Sequence, residues 1–204
     1  MIDELAILRI VGIKGRVSPE AVATSLAVDA IAAEQSLADL TARELVKSTP
    51  MGFRITPAGR EHCSELVAAE HKSADGAAVA AIYMDFTEFN TELKAVITDW
   101  QMSGPDEPNA HTDQVYDDAV LERLQALHEQ VLPLLDRIGA TAPRLARYKG
   151  RLEEASKAIA TGDLGYVSKP IIDSYHTVWF ELHEDLIGLA GLTRADEAEA
   201  GRGA

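Results

Sequence analysis

The sequence predicts a mainly α-helical protein with one small β-hairpin near its N-terminus and an antiparallel four-helix bundle-like region after it. Apolar residues recur at spacings of three and four along most of the chain, which is the period of an amphipathic helix. Two short β-like runs flank residues 48–52, a segment of turn-forming residues. Segments rich in glycine, proline and small polar residues separate four long apolar stripes in the remainder of the chain.

Three short helices are predicted in the first 43 residues. The first is apolar and is expected to end near Gly12 or Gly15. Ser18 suits the cap of the second helix, and Pro19 suits its first turn because proline lacks the amide hydrogen that this turn leaves unpaired. After a turn at residues 27–28, Asp29 is expected to cap the third helix. The apolar positions of that helix are Ile31, Ala33, Leu37 and Leu40.

A β-hairpin and a fourth helix are predicted next. The strands are placed at residues 45–47 and 53–55, with residues 48–52 as the turn between them. Thr56 is expected to cap a helix whose first residue is Pro57. Three helices, a hairpin and a further helix form the order of a winged helix-turn-helix, so residues 1–72 are predicted to be a DNA-binding domain of this kind.

Residues 73–193 are predicted to form the bundle-like domain, because four apolar stripes with short connections favour antiparallel helices. The stripes run through residues 82–100, 120–134, 145–159 and 171–189. We expect a loop at residues 103–109, a helix end at Gly139, a cap at Thr141, and inward-facing side chains at Ile171 and Ile172. The tail, residues 194–204, has little to bury and is expected to be disordered.

Charge and composition restrict the function classes. The net charge is −14, yet residues 1–62 hold seven Lys/Arg and eight Asp/Glu, so nearly all of the acidity lies outside the predicted DNA-binding domain. A near-neutral domain predicts weak nonspecific DNA binding and a need for dimerisation. The chain has one cysteine, an acidic start and no apolar run near the length of a membrane span, which together indicate the cytoplasm and no membrane partner.

The N-terminal segment resembles the MarR-like winged-helix regulators. The matching residues are Leu45, Val46, Thr56, Pro57, Gly59 and Arg60, with Arg54 in the wing. Glu44 departs from the pattern, because such proteins usually have a glycine at the end of the recognition helix. The resemblance implies that the third helix enters the major groove of double-stranded DNA, although Glu34 and Asp39 on its outer face would repel phosphates. The residues predicted to contact DNA are Gln35, Ser36, Arg43, Lys47, Arg54 and Arg60.

Two groups of residues in the second domain are candidates for binding a small effector. His176, Trp179 and His183 fall within a narrow sector of the last helix, at the rim of its apolar stripe. Arg147 and Arg151 border the stripe of the preceding helix and could hold an anionic or amphiphilic ligand, with Trp100 lining the same cavity. The alternatives are that the histidines bond a neighbouring helix and that the arginines pair with Glu181, Glu184 or Asp185.

Other chemistry has weaker support in the sequence. Pairs such as His111 with Asp113, or His62 with Cys63, could contribute to a metal site, but none of these spacings is diagnostic. Cys63 could be a peroxide-sensitive thiol or, more simply, a core residue. The sequence contains no phosphate-binding glycine loop, nucleophile elbow or other catalytic pattern, and we expect neither an enzyme nor a cofactor.

These observations predict a homodimeric transcriptional regulator whose second domain dimerises and binds a small effector. The alternative is an adaptor that uses the same winged helix and an acidic helical face to dock a protein partner. The wing motif favours the regulator, and the net charge favours the adaptor.

Overall fold

The computed structural model of the protein describes residues 2–199, and these are mainly helical, with two small antiparallel strand pairs. The first part, here called the N-terminal unit, ends at residue 73. Its elements are α1 (Glu4–Lys14), α2 (Pro19–Leu26), α3 (Ala30–Ala42), β1 (Val46–Thr49), β2 (Gly52–Ile55) and α4 (Pro57–Ser73).

Local capping determines where the helices of the N-terminal unit begin. Ser18 accepts a hydrogen bond from the amide of Ala21, as the sequence predicts. Asp29 caps α3 in the same way, and Thr56 accepts from the amide of Gly59 at the start of α4. The helix α1 ends at Lys14, followed by Gly15 with a φ of 71°, so Gly15 rather than Gly12 terminates it.

The hairpin is tighter than predicted. Val46 pairs with Ile55 and Thr49 pairs with Gly52, so the turn consists of residues 50 and 51 alone. A β-bridge between Val17 and Phe53 adds a segment of the α1–α2 connection to the hairpin. Gly52 has a φ of 117°, and a Cβ there would overlap the carbonyl oxygen of Val17. A glycine is therefore required where this connection crosses the hairpin.

The remaining elements, α5 to α10, are called the C-terminal helices. They are α5 (Gly76–Gln101), β3 (Met102–Gly104), β4 (Glu107–Pro108), α6 (Gln114–Thr141), a 3-10 turn (Pro143–Leu145), α7 (Arg147–Ala160), α8 (Gly165–Ser168), α9 (Tyr175–Leu189) and α10 (Arg194–Glu199). The four long helices α5, α6, α7 and α9 correspond to the four predicted stripes. Neighbours pack in the order α5, α6, α7, α9, and α9 also contacts α5.

Several predicted boundaries are wrong. The predicted loop at 103–109 contains the short β3–β4 pair. The helix α6 runs past Gly139 to Thr141. Gly139 instead lets Ala146 pack closely against α6, since a Cβ at residue 139 would lie 3.1 Å from the Cβ of Ala146. Thr141 therefore ends α6 rather than capping the next helix, and α7 begins at Arg147 without a side-chain cap.

Two further corrections concern the end of the chain. Ile171 does not face inward: it is fully exposed, has a φ of 77°, and precedes α9, which begins at Tyr175. The tail begins with a helix, α10, rather than with disorder, because Asp196 bonds the amide and hydroxyl of Thr193 and Glu197 is completely buried. Residues 200–204 of the predicted disordered tail lie outside the described residues.

The apolar side chains form two separate cores, one within the N-terminal unit and one among the C-terminal helices. The two parts meet where α1 and α4 pack against α9. Within residues 2–199, no helix combines the length and apolar character needed to cross a membrane.

Candidate functional site

Two basic residues lie directly opposite each other on the hairpin. Lys47 and Arg54 are paired in the β1–β2 register, next to the buried pair formed by Val46 and Ile55. Because side chains alternate between the faces of a strand, both cations project from the exposed face. Like charges at facing positions repel each other, and neither residue forms an ion pair with any residue between 2 and 199. The arrangement leaves two unneutralised cations available to an external anion.

A third cation lies at the same hairpin. Arg16 directly precedes the bridged residue Val17, is exposed, and donates from Nη1 to the sulfur of Met51 over 3.2 Å. It forms no ion pair within the described part of the chain. We refer to Arg16, Lys47 and Arg54 as the hairpin cations.

The exposed face of α3 has a different character. Glu34, Gln35 and Asp39 are exposed, and Ile31 exposes 65% of its surface. Ser36 is half-buried and donates its hydroxyl to the carbonyl oxygen of Ala32. The structure thus places Gln35 on the outer face of α3, among acidic and apolar neighbours, while Ser36 is partly engaged with its own helix.

Arg43 and Arg60 lie apart from the hairpin cations. Arg43, just after α3, makes a two-pronged ion pair with Glu4, whose Oε1 lies 2.9 Å from Nη2. That contact is the main reason the pKa of Glu4 falls to about 2, with a further contribution from His62. The guanidinium of Arg43 is therefore already occupied by a carboxylate. Arg60 lines a cavity between α4 and the C-terminal helices. Of the six predicted DNA contacts, the fold pairs Lys47 with Arg54, and it places Ser36 and Arg43 on one pocket beside Glu4.

A cavity of about 280 Å³ lies between α5 and α9 and is lined by three predicted ligand residues: His176, Trp179 and His183. The indole nitrogen of Trp179 donates to Asn90 over 3.0 Å, which fixes the ring in the cavity wall. Burial lowers the pKa of His183 to about 4, so its imidazole is neutral at physiological pH. The cavity therefore presents apolar and neutral hydrogen-bonding groups together with Lys94.

Trp100, Arg147 and Arg151 do not line this cavity. Trp100 is buried at the end of α5 with its ring 4.3 Å from that of His111. Arg147 and Arg151 form ion pairs with carboxylates of α9. Pairing with these carboxylates is the alternative to ligand binding that the sequence left open.

Asp185 is the centre of the first of these ion clusters. It is fully buried and accepts from Arg9 at 2.6 Å, from Tyr148 at 2.7 Å, and from Arg147 at 3.0 Å. Arg144 lies 2.9 Å from the same carboxylate and also binds Glu70 of α4. Burial alone would raise the pKa of Asp185, but the surrounding guanidinium groups lower it well below its usual value. We call these residues the Asp185 cluster.

A second cluster lies beside it. Arg151 binds Glu181 at 2.7 Å and Asp173 at 2.9 Å, and Lys14 of α1 binds the same two carboxylates. Both clusters join the N-terminal unit to the C-terminal helices. Arg147 and Arg151 bind carboxylates of the C-terminal part. The ion pairs that join the two parts are made by Arg9, Lys14 and Arg144.

The other candidate residues have structural partners. His111 lies 3.0 Å from Asp117, and burial raises the pKa of the Cys63 thiol, which disfavours the reactive thiolate. Among residues 2–199, no three His, Cys, Asp or Glu side chains are arranged to hold a metal ion.

Comparison with known proteins adds no family assignment. The chain matches no protein-family model, and searches of curated proteins and of solved structures give no match.

Proposed function

We propose that the protein is a DNA-binding transcriptional regulator whose N-terminal unit acts as a winged helix-turn-helix. The observation that carries the proposal is the pair of facing cations on the hairpin, Lys47 and Arg54, with no carboxylate partner among the described residues. Facing like charges cost stability in a free protein. A phosphate backbone would neutralise them and release counterions, which is the main source of nonspecific DNA affinity.

The arrangement of the elements supports this assignment. The helices α2 and α3 are joined by a short turn, and the β1–β2 hairpin follows with Val17 bridged to it. Glu44 adopts a φ of 57°, the left-handed conformation that favours glycine, at the place where MarR-like proteins usually have one. A glycine would adopt this conformation without strain, so the backbone at residue 44 is compatible with the residue that such proteins usually have.

The acidic outer face of α3 limits how DNA can be bound. Glu34 and Asp39 would lie near phosphates if α3 entered the major groove, although a carboxylate can accept from the amino group of cytosine there. We therefore assign most of the electrostatic attraction to the hairpin cations. A single unit of this kind binds weakly, so the proposal includes a homodimer that reads two half-sites.

A protein-docking adaptor is the second candidate function. One observation favours it: α3 exposes Ile31 beside Glu34 and Asp39. An apolar residue flanked by carboxylates suits a basic protein surface better than it suits DNA.

The deciding experiment is a salt-graded titration of the full chain against DNA fragments from its own upstream region. We expect sequence-selective binding that weakens with salt, and analytical ultracentrifugation of the complex should give two chains per site. The double variant Lys47→Gln/Arg54→Gln should reduce the slope of log K against log salt by about 1.8 per chain, since each phosphate contact contributes about 0.9.

The matched control is Lys169→Gln, which removes an exposed positive charge from the segment between α8 and α9. It should leave both the affinity and the slope unchanged. Absence of selective binding at low salt, or an equal loss in the control and the double variant, would favour the adaptor.

A further inference from the structure

A second cavity lies at the junction of the two parts of the molecule. Its volume is about 360 Å³, and its walls come from α1, β2 and α4 on one side and from α9, α10 and the segment between them on the other. We call it the junction cavity. It is distinct from the cavity between α5 and α9, and no predicted ligand residue lines it.

The junction cavity is unusually basic for so acidic a protein. Among residues 2–199, three arginines and one glutamate line it: Arg9, Arg60, Arg194 and Glu184. Arg9 is held by Asp185 and by the carbonyl oxygen of Glu184, and Arg194 pairs with the Glu184 carboxylate. Arg60 is exposed and has no side-chain hydrogen bond or ion pair with any residue from 2 to 199. The cavity therefore offers a free guanidinium to a bound anion.

The rest of the wall is aliphatic. Leu8 and Ile55 face it from the N-terminal unit, and Ile187 and Leu192 face it from the C-terminal side, whereas no aromatic side chain from residues 2–199 lines it. The thiol of Cys63 also borders the cavity, and its raised pKa keeps it neutral. Aliphatic walls without rings suit a flexible hydrocarbon chain better than a planar aromatic ligand.

Gly12 contributes to the space available in the cavity. It lies within α1, where φ is ordinary, and a Cβ at this position would meet only the Cδ1 of Ile55, at 3.8 Å. A larger side chain at residue 12 would therefore enter the cavity without breaking α1.

We propose that the junction cavity binds a small aliphatic carboxylate, with its head group on Arg60 and its chain against the aliphatic wall. Arginine holds a carboxylate through parallel charge-assisted hydrogen bonds, and the chain gains by leaving water. Since the walls come from both parts of the molecule, an occupant favours the relative placement of α4 and α9 that it bridges. An effect of this placement on DNA binding rests on the proposed function. The binding site itself does not rest on it.

The test is isothermal titration of octanoate into the full chain in the absence of DNA, with octan-1-ol as the uncharged probe. We expect saturable one-site binding of octanoate and at least tenfold weaker binding of the alcohol. Arg60→Gln should weaken octanoate binding at least tenfold, because a hydrogen bond to a charged group is lost. Gly12→Leu should abolish binding by filling the cavity.

Arg54→Gln is the matched control, because it removes an exposed, unpaired arginine from the N-terminal unit outside the cavity. It should bind octanoate like the wild type. Circular dichroism establishes whether each variant is folded. If Gly12→Leu misfolds, Arg60→Gln still tests the proposal, because it alters only an exposed side chain. No saturable binding, or equal binding by Arg60→Gln and the wild type, would overturn the proposal. Because no DNA is present, failure of the DNA-binding proposal would not affect this result.

Discussion

Replacing Asp185 by asparagine removes the charge at the centre of the junction while nearly preserving the side-chain shape. The carboxylate is fully buried and lies within ion-pairing distance of Arg9, Arg144 and Arg147, while Arg144 has a second carboxylate in Glu70. The variant would leave the buried guanidinium groups without their shared counter-charge. Removing one partner of a buried ion pair costs about 3–5 kcal/mol, a large fraction of the 5–15 kcal/mol typical of a folded protein.

Urea denaturation followed by far-ultraviolet circular dichroism at neutral pH measures this loss. The matched control is Asp85→Asn, whose partner Arg137 lies 2.5 Å away in an ion pair that exposes 46% and 50% of the two side chains. Exposed pairs contribute about 0–1 kcal/mol, so the control should unfold almost like the wild type.

A double variant tests whether the loss arises from unpaired charge. Arg9→Gln combined with Asp185→Asn should lose less stability than the sum of the two single variants, since removing Arg9 relieves one of the unpaired cations. A loss below about 1 kcal/mol for Asp185→Asn, equal to that of Asp85→Asn, would refute the reasoning that the cluster holds the two parts together.

Two further predictions concern stability. The folded pKa of His183 is about 4 against an ordinary 6.5, so its neutral form stabilises the fold above pH 6.5, and this contribution is lost as the pH falls toward 4. Urea titrations at pH 7 and pH 4.5 should show a smaller acid-induced loss for His183→Gln than for the wild type, by about 2 kcal/mol, and equal losses would contradict this. Gly59→Ala should destabilise the N-terminal unit by more than about 2 kcal/mol, because its Cβ would overlap the Leu45 carbonyl oxygen. Gly150→Ala, in α7 with no neighbouring atom within 4 Å of the new Cβ, should instead stabilise the folded protein by about 0.5–1 kcal/mol. Thermal melts in which Gly150→Ala is not the more stable of the two variants would refute this comparison.

The sequence alone predicted the mainly helical class and the starts of α2, α3 and α4. Ser18, Asp29 and Thr56 cap the helices they were expected to cap, since a cap bonds an amide two or three residues away. The apolar stripes of α5, α6, α7 and α9 were also predicted, because the spacing of apolar residues along the sequence determines the buried face of a helix. Local signals failed where tertiary contacts decided the boundary, as at Gly139, where α6 continues and packs against Ala146.

The candidate sites also contain some features that local spacing predicts and others that it does not. The sector of His176, Trp179 and His183 follows from helical spacing. The facing of Lys47 and Arg54 depends on the hairpin register, which the turn predicted at residues 48–52 did not give. Arg43 could not be assigned from the sequence, because its partner Glu4 is 39 residues away.

Only the tertiary structure decided what joins the two parts of the molecule. Arg9 meets Asp185 across 176 positions of the chain, and no spacing rule relates two residues so far apart. Arginines at the edge of an apolar stripe have the same sequence pattern whether they line a ligand site or bind a buried carboxylate. The choice depends on which helix packs against them. Likewise, the packing of α1 and α4 against α9 creates the junction cavity beside Arg60. Capping and periodicity act within a few residues, whereas ion pairing and cavities depend on the mutual placement of whole elements.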